Sequence, residues 1–147
     1  MNTEQIKNAV EKYHNYIVEM RREFHRYPEV SGKEQHTREI LVRELEKMGV
    51  PYRLLPGTGL IGIMEGGKHR VVRADIDALP ITEAKENLKQ EKVCISEKPG
   101  VCHACGHDAH MAMLLGTMKV LVEMKEELEG TVYCCFEEAE EDITGVA

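Results

Sequence analysis

Residues 106–136 read GHDAHMAMLLGTMKVLVEMKEELEGTVYCCF. Leu114, Leu115, Met118, Leu121, Val122 and Leu128 fall on one broad helical face, which predicts a helix over 106–128. Gly130 follows its last turn, and TVYCCF (131–136) is short, apolar and rich in strand formers. Upstream, HRVVRADIDALP (69–80) predicts a buried strand, Val71–Ile76, that ends in acids. A strand, a long helix and a strand in succession predict two parallel strands joined by a right-handed crossover, hence a layered α/β domain. Ligands of such open sheets sit at the carboxyl ends of the strands. Those ends carry Asp75 and Asp77 on one strand and the Glu137–Asp142 run on the other, while a dense Cys/His stretch opens the helix. Three polar clusters are therefore expected on one edge.

Further out, Ile6, Val10, Tyr13, Ile17, Met20 and Phe24 make one apolar stripe and predict an amphipathic helix over 3–24. Pro28 ends that pattern. Ser31 and Glu34 in SGKE have the spacing of a capping box and predict a second helix, with the stripe Ile40, Leu41, Leu45 and Met48. Gly49 stands where a left-handed C-terminal residue belongs, and Pro51 follows. GTGLIGIMEGG (57–67) reads as a strand closing in a turn at Gly66–Gly67. The charged stretch 82–100 reads as a long connection that can include a helical turn. No internal repeat or low-complexity linker interrupts the 147 residues.

That length fits one domain. An apolar fraction of 42% argues against disorder. With 19 Lys+Arg against 26 Asp+Glu the net charge is −7, which argues against a nucleic-acid partner. No apolar run reaches the ~20 residues of a membrane helix, so no membrane partner is expected. The polar start MNTEQIKNAVEKY lacks a signal peptide's apolar stretch, and five cysteines make a poor disulfide framework. A reducing, cytoplasmic setting is the expectation. Cys134 and Cys135 lie in an apolar run and read as small buried hydrophobes.

PGVCHACGHDAH (99–110) holds Cys102, Cys105, His103, His107 and His110. Thiolate and imidazole are the usual ligands of zinc-like ions, with carboxylate as the harder partner. Cys105 and His107 could aim at one ion across a turn at Gly106. The three histidines would instead share a helix face if the helix began early. A CxxC redox pair, Cys102 with Cys105, and a plain helix N-terminus with incidental histidines also fit the spacing. EEAEED (137–142) is either a solvated acidic turn or a source of two divided roles. In the second case one carboxylate binds an ion while its neighbour takes a proton from an activated water. Asp75 and Asp77, alternating at a strand end, face one side. They would either orient ligand histidines or pair with Arg73. His14, His25, His36 and His69 read as structural.

FHRYPEVSGKE, GTGLIGIMEGG, RADIDALPI, PGVCHACGHDAHMAMLLG and GTVYCCFEEAEE, in this order, resemble the first part of the N-acyl-amino-acid amidohydrolases. These form the hippurate hydrolase and indole-acetyl-amino-acid hydrolase branch of the aminoacylase/carboxypeptidase metallohydrolases. The resemblance implies a layered α/β/α domain with a mixed central sheet. It also implies two divalent ions per complete active site and hydrolysis of an amide between an acyl group and an amino acid; zinc, manganese, cobalt and nickel all suit a mixed Cys/His/Glu site. Carried over by position, Cys105, His107 and Glu141 are metal ligands, Glu140 is the general base, and Asp75 is a supporting acid of the catalytic site. The family usually reads PAEEG where this chain reads Glu138-Ala139-Glu140-Glu141-Asp142, which loosens the turn and adds repulsion near an ion. Family members are much longer. Residues 1–147 are thus expected to be the N-terminal portion of the catalytic domain, without the lid or dimerisation domain, the C-terminal catalytic segment and two further histidine ligands. A homodimer is implied for the full-length form. Little activity is expected of the chain alone. The competing expectation is a catalytically dead, truncated module that binds metal or pairs with a complete subunit.

Overall fold

The computed structural model describes residues 3–66 and 68–145. Four strands form one mixed sheet: β1 (Tyr52–Leu54), β2 (Leu60–Met64), β3 (Lys68–Asp75) and, late in the chain, Gly130–Glu137. A short hairpin, β4 (Glu86–Asn87) and β5 (Gln90–Glu91), intervenes in the connection 82–100, so the late strand is β6. The sheet order is β1-β2-β6-β3. β2 runs antiparallel to both neighbours, and β3 runs parallel to β6 with Val72 opposite Cys134 and Asp75 opposite Glu137. The expected α/β class and the parallel pair flanking a long helix are thus present. β1 was not among the expected strands.

Four α-helices accompany the sheet: α1 (Thr3–Lys12), α2 (His14–Arg26), α3 (Gln35–Met48) and α4 (His107–Glu123), the last followed by a 3-10 turn at Lys125–Glu127. Leu60, Met64, Cys134, Phe136 and Ala74 turn one face of the sheet toward the helices and join Leu41, Leu45, Met111, Leu115 and Met118 in the core. A side chain at Gly62 would run into Met118 and Leu45, so α3 and α4 both press on β2 there. Gly49 ends α3 in the left-handed region (φ 66°), with its N–H on Glu46 O and the Val50 N–H on Leu45 O. Open space surrounds the position where a Cβ would sit. Gly49→Ala is therefore expected to cost about 1 kcal/mol through backbone conformation alone, measurable as a lower urea midpoint.

Four local expectations are corrected. The helix over 3–24 is two helices that break at Tyr13. The Tyr13 hydroxyl and Lys12 Nζ both reach Glu123 at the far end of α4, 2.7 and 2.8 Å away, so the break coincides with a tertiary contact. The first residues of its stripe, Ile6 and Val10, are 39% and 47% exposed. No capping box forms at SGKE. Glu29 caps α3 instead, accepting from the His36 and Thr37 amides at 3.2 and 2.8 Å. The strand expected to be buried at 71–76 is buried only from Ala74 on; among the described strands it lies at the sheet edge, with Val71 68% exposed. The helix expected over 106–128 ends at Glu123. The turn expected at Gly66–Gly67 lies partly outside the described residues, because Gly67 is not among them. No helix among the described residues is long and apolar enough to cross a membrane.

Candidate metal centre

The three polar clusters meet where β3 and β6 end side by side and α4 begins. Gly106 precedes α4 with φ 98°, a conformation that disfavours any side chain, and this sharp entry makes His107 the first helical residue. His107 is buried. Its Nδ1 lies 2.9 Å from the backbone carbonyl of Asp77. A carbonyl can only accept, so Nδ1 carries a hydrogen and Nε2 is the nitrogen left for a ligand role.

Nε2 faces three acids: Asp75 Oδ2 at 3.9 Å, Glu140 Oε2 at 3.7 Å and Glu141 Oε1 at 3.9 Å. These distances are too long for hydrogen bonds. Ligands ~2.1 Å from a tetrahedral ion stand roughly 3.4 Å apart, so the spacing is close to that of groups around a shared cation. Glu141 Oε1 is buried and has no hydrogen-bond partner. Ligand atoms of Cys105, His107 and Glu141 lie within 4.8 Å of one another, and so do those of Asp75, His107 and His110. The first set offers thiolate, imidazole and carboxylate, a donor mixture that fits a zinc-like ion. Both sets depend on His107 Nε2, and one lone pair serves one ion. A second ion beside the first would have only Asp75 and His110 from the second set.

Asp77 is the hub behind the site. Its Oδ2 accepts from the Ser31 hydroxyl at 2.7 Å and the Glu141 amide at 2.9 Å, and its Oδ1 stands 3.3 Å from His107 Nδ1. Burial pushes the Asp77 carboxyl up, but the donors from His107, Glu141 and Ser31 outweigh it and hold the group at about 2. The same pairing raises His107 to about 9 against its burial, so the ion-free ring is protonated at neutral pH and Nε2 ligates once an ion displaces that proton. Burial and the neighbouring Glu141 push the Cys105 thiol up. Asp75 also pairs with Arg73 at 2.9 Å, and Arg73 reaches on to Glu137 at 2.8 Å.

The site residues expected from sequence, Cys105, His107, Glu140, Glu141 and Asp75, thus lie together. His103 does not join them. It precedes the helix and is buried, and burial pushes it down to about 4. Cys102 is buried, whereas Cys105 is exposed. His25 is satisfied, between Asp108 at 2.7 Å and Glu83 at 2.9 Å. Sequence reasoning missed the roles of Ser31 and Glu34, which SGKE presented as a local cap. Their real partners are 46 and 105 residues away, and no local pattern signals them.

A sequence profile of peptidase family M20/M25/M40 matches residues 71–147. The N-acyl-L-amino acid amidohydrolase of Geobacillus stearothermophilus is 37% identical over 152 aligned residues, covering 100% of this chain and 40% of that protein. The IAA-amino acid hydrolase ILR1-like 5 of Arabidopsis thaliana is 44% identical over 138 residues, covering 92% of this chain and 31% of that protein. The crystal structure of the Bacillus subtilis YXEP protein, described as a dinuclear metal binding peptidase, superposes with a TM-score of 0.83 at 37% identity. That match covers 92% of this chain and 38% of the other. The chain therefore spans only about a third of the length of the relatives it matches.

Proposed function

The chain belongs to peptidase family M20/M25/M40, and from that premise we propose that it is the N-terminal part of a catalytic domain that hydrolyses the amide bond of N-acyl amino acids. The observation that carries this reading is the convergence of Cys105, His107 and Glu141 within 4.8 Å, with Glu140 beside them. Cys105, His107 and Glu141 would hold a divalent cation, of zinc, manganese, cobalt or nickel. Such an ion, when bound, supplies Lewis acidity to an amide carbonyl and to a water. Glu140 takes the proton from the attacking water and returns it to the leaving amine. Asp77 holds His107 in the tautomer that presents Nε2. Asp75 balances the charge of Arg73 and borders the ion. A second ion, two in the complete active site, needs donors beyond those His107 can serve, so the chain by itself is proposed to turn over N-acyl amino acids only slowly.

Cobalt(II) titration tests the ion site, because a thiolate ligand gives a charge-transfer absorption band. The expected result is about one equivalent bound, with Cys105→Ser losing the band and at least a factor of ten in affinity. Unchanged spectrum and affinity in Cys105→Ser would remove that residue from the ligand set. Elemental analysis and a hydrolysis assay on one sample separate this reading from a metal-binding module without catalysis. The module predicts bound metal with no turnover even when the remaining catalytic segments are supplied.

A further inference from the structure

Glu34 is fully buried, yet it caps nothing in its own helix. Its Oε2 accepts from the Thr58 hydroxyl at 2.6 Å, and its Oε1 accepts from the Ala139 amide at 2.9 Å. A buried carboxyl is costly unless donors satisfy it, and here two segments remote in sequence provide them. Ala139 opens the turn that presents Glu140 and Glu141, and it sits at φ 52°, where an alanine stays only if its surroundings hold it. Two residues on, the Glu141 amide is held by Asp77 Oδ2, which Ser31 also grips. The four-residue lead-in to α3 therefore takes hold of the acidic turn at both ends, through Glu34 directly and through Ser31 by way of Asp77.

We propose that Glu34 is the positioning residue of the Glu140–Glu141 pair: its buried carboxyl fixes the Ala139 amide and so aims both side chains at His107. The proposal rests on the reading of Cys105, His107 and Glu141 as an ion site. Glu34 touches neither the ion position nor a substrate, so it acts through the turn. The side chain of Gln keeps this function. Its carbonyl oxygen accepts from Ala139, and the Thr58 hydroxyl rotates to accept from its amide. Ala removes the anchor. Thr58→Val removes one donor to Glu34 and leaves the Ala139 bond in place.

The experiment is cobalt(II) titration of the whole chain, with circular dichroism as the check on folding. Glu34→Ala is expected to bind cobalt at least tenfold more weakly and to shift the thiolate band, because Glu141 loses its aim. Glu34→Gln and Thr58→Val are expected to stay within about twofold of the unaltered chain, with the band in place. A general structural role would instead track the loss of hydrogen bonds and lower Thr58→Val and Glu34→Ala alike. A folded Glu34→Ala with unaltered affinity and spectrum overturns the proposal. Should Glu34→Ala not fold, Glu34→Asp, one methylene short of Ala139, is read in the same titration, and unaltered binding there overturns it as well. Absence of the band in the unaltered chain overturns the reading of the ion site itself, and the proposal with it.

Discussion

Glu140→Gln is expected to slow hydrolysis of an N-acyl amino acid by ~10²–10⁴-fold, the range a positioned general base supplies. The setting is any form of the protein that turns such a substrate over. Cobalt affinity should stay within about threefold. The two neighbouring glutamates differ in surroundings, and that difference divides their roles. The Glu141 side chain is 19% exposed, and its Oε1 is buried without a hydrogen bond. Such an oxygen is costly to keep unless a cation faces it. The Glu140 side chain is 37% exposed and has Oε2 3.7 Å from His107 Nε2, so it borders the same space while open to water and substrate. Gln keeps the shape of Glu140 but cannot take a proton. Loss should therefore fall on kcat and leave ion binding in place, whereas Glu141→Gln should weaken the ion first. An unchanged kcat in Glu140→Gln assigns the proton transfer to another group.

The parts of this arrangement legible in the sequence are those set by local pattern. The β3–α4–β6 unit follows from strand-forming runs on either side of one broad apolar helix face. Cys105, His107, Glu140 and Glu141 stand out as ligand and base types at the ends of those elements. What was illegible depends on partners far along the chain. The helix breaks at Tyr13, inside a continuous apolar stripe, where the Tyr13 hydroxyl meets Glu123 at the far end of α4. Ser31 and Glu34 obey the spacing of a cap, but Asp77, Thr58 and Ala139 claim their side chains, and Glu29 caps the helix. Val71 and Val72 are apolar in the manner of a central strand, yet β3 is at the edge among the described strands. His103 shares its residue type and neighbourhood with His107. The turn at Gly106 starts the helix after it and separates the two.

Asp108→Ala is expected to destabilise the fold by about 3 kcal/mol or more, the usual cost of removing one partner from a buried charged pair. The Asp108 side chain is 1% exposed, and its Oδ2 takes His25 Nδ1 at 2.7 Å and Arg21 Nε at 2.8 Å. His25 is buried and has Glu83 Oε1 at 2.9 Å on its other nitrogen. Carboxylates on both nitrogens favour the imidazolium, which donates from both. The Asp108 bond raises the His25 pKa above its ordinary 6.5 against burial, and Glu83 adds to the rise. Burial pushes Glu83 up, but Lys92, the Ser96 amide and His25 outweigh it and bring it to about 2. The charged groups facing His25 are thus Arg21, Asp108 and Glu83, with Lys92 behind Glu83 and neutral His103 nearby. A raised histidine stabilises fully below 6.5, and that part is lost as pH climbs through its folded value. A lowered glutamate stabilises above its ordinary 4.5, and that part is lost as pH falls toward 2. The network therefore contributes most between about pH 4.5 and 6.5. Urea midpoints of the unaltered chain and Asp108→Asn, compared from pH 4 to 9, should differ most in that window. The gap should narrow above that window as His25 loses its proton. A gap that is constant across the range would mean that His25 is neutral in the fold. Because Asp108 follows His107 directly, the same variant should also loosen the first turn of α4 and weaken cobalt binding, which ties the stability of this network to the ion site beside it.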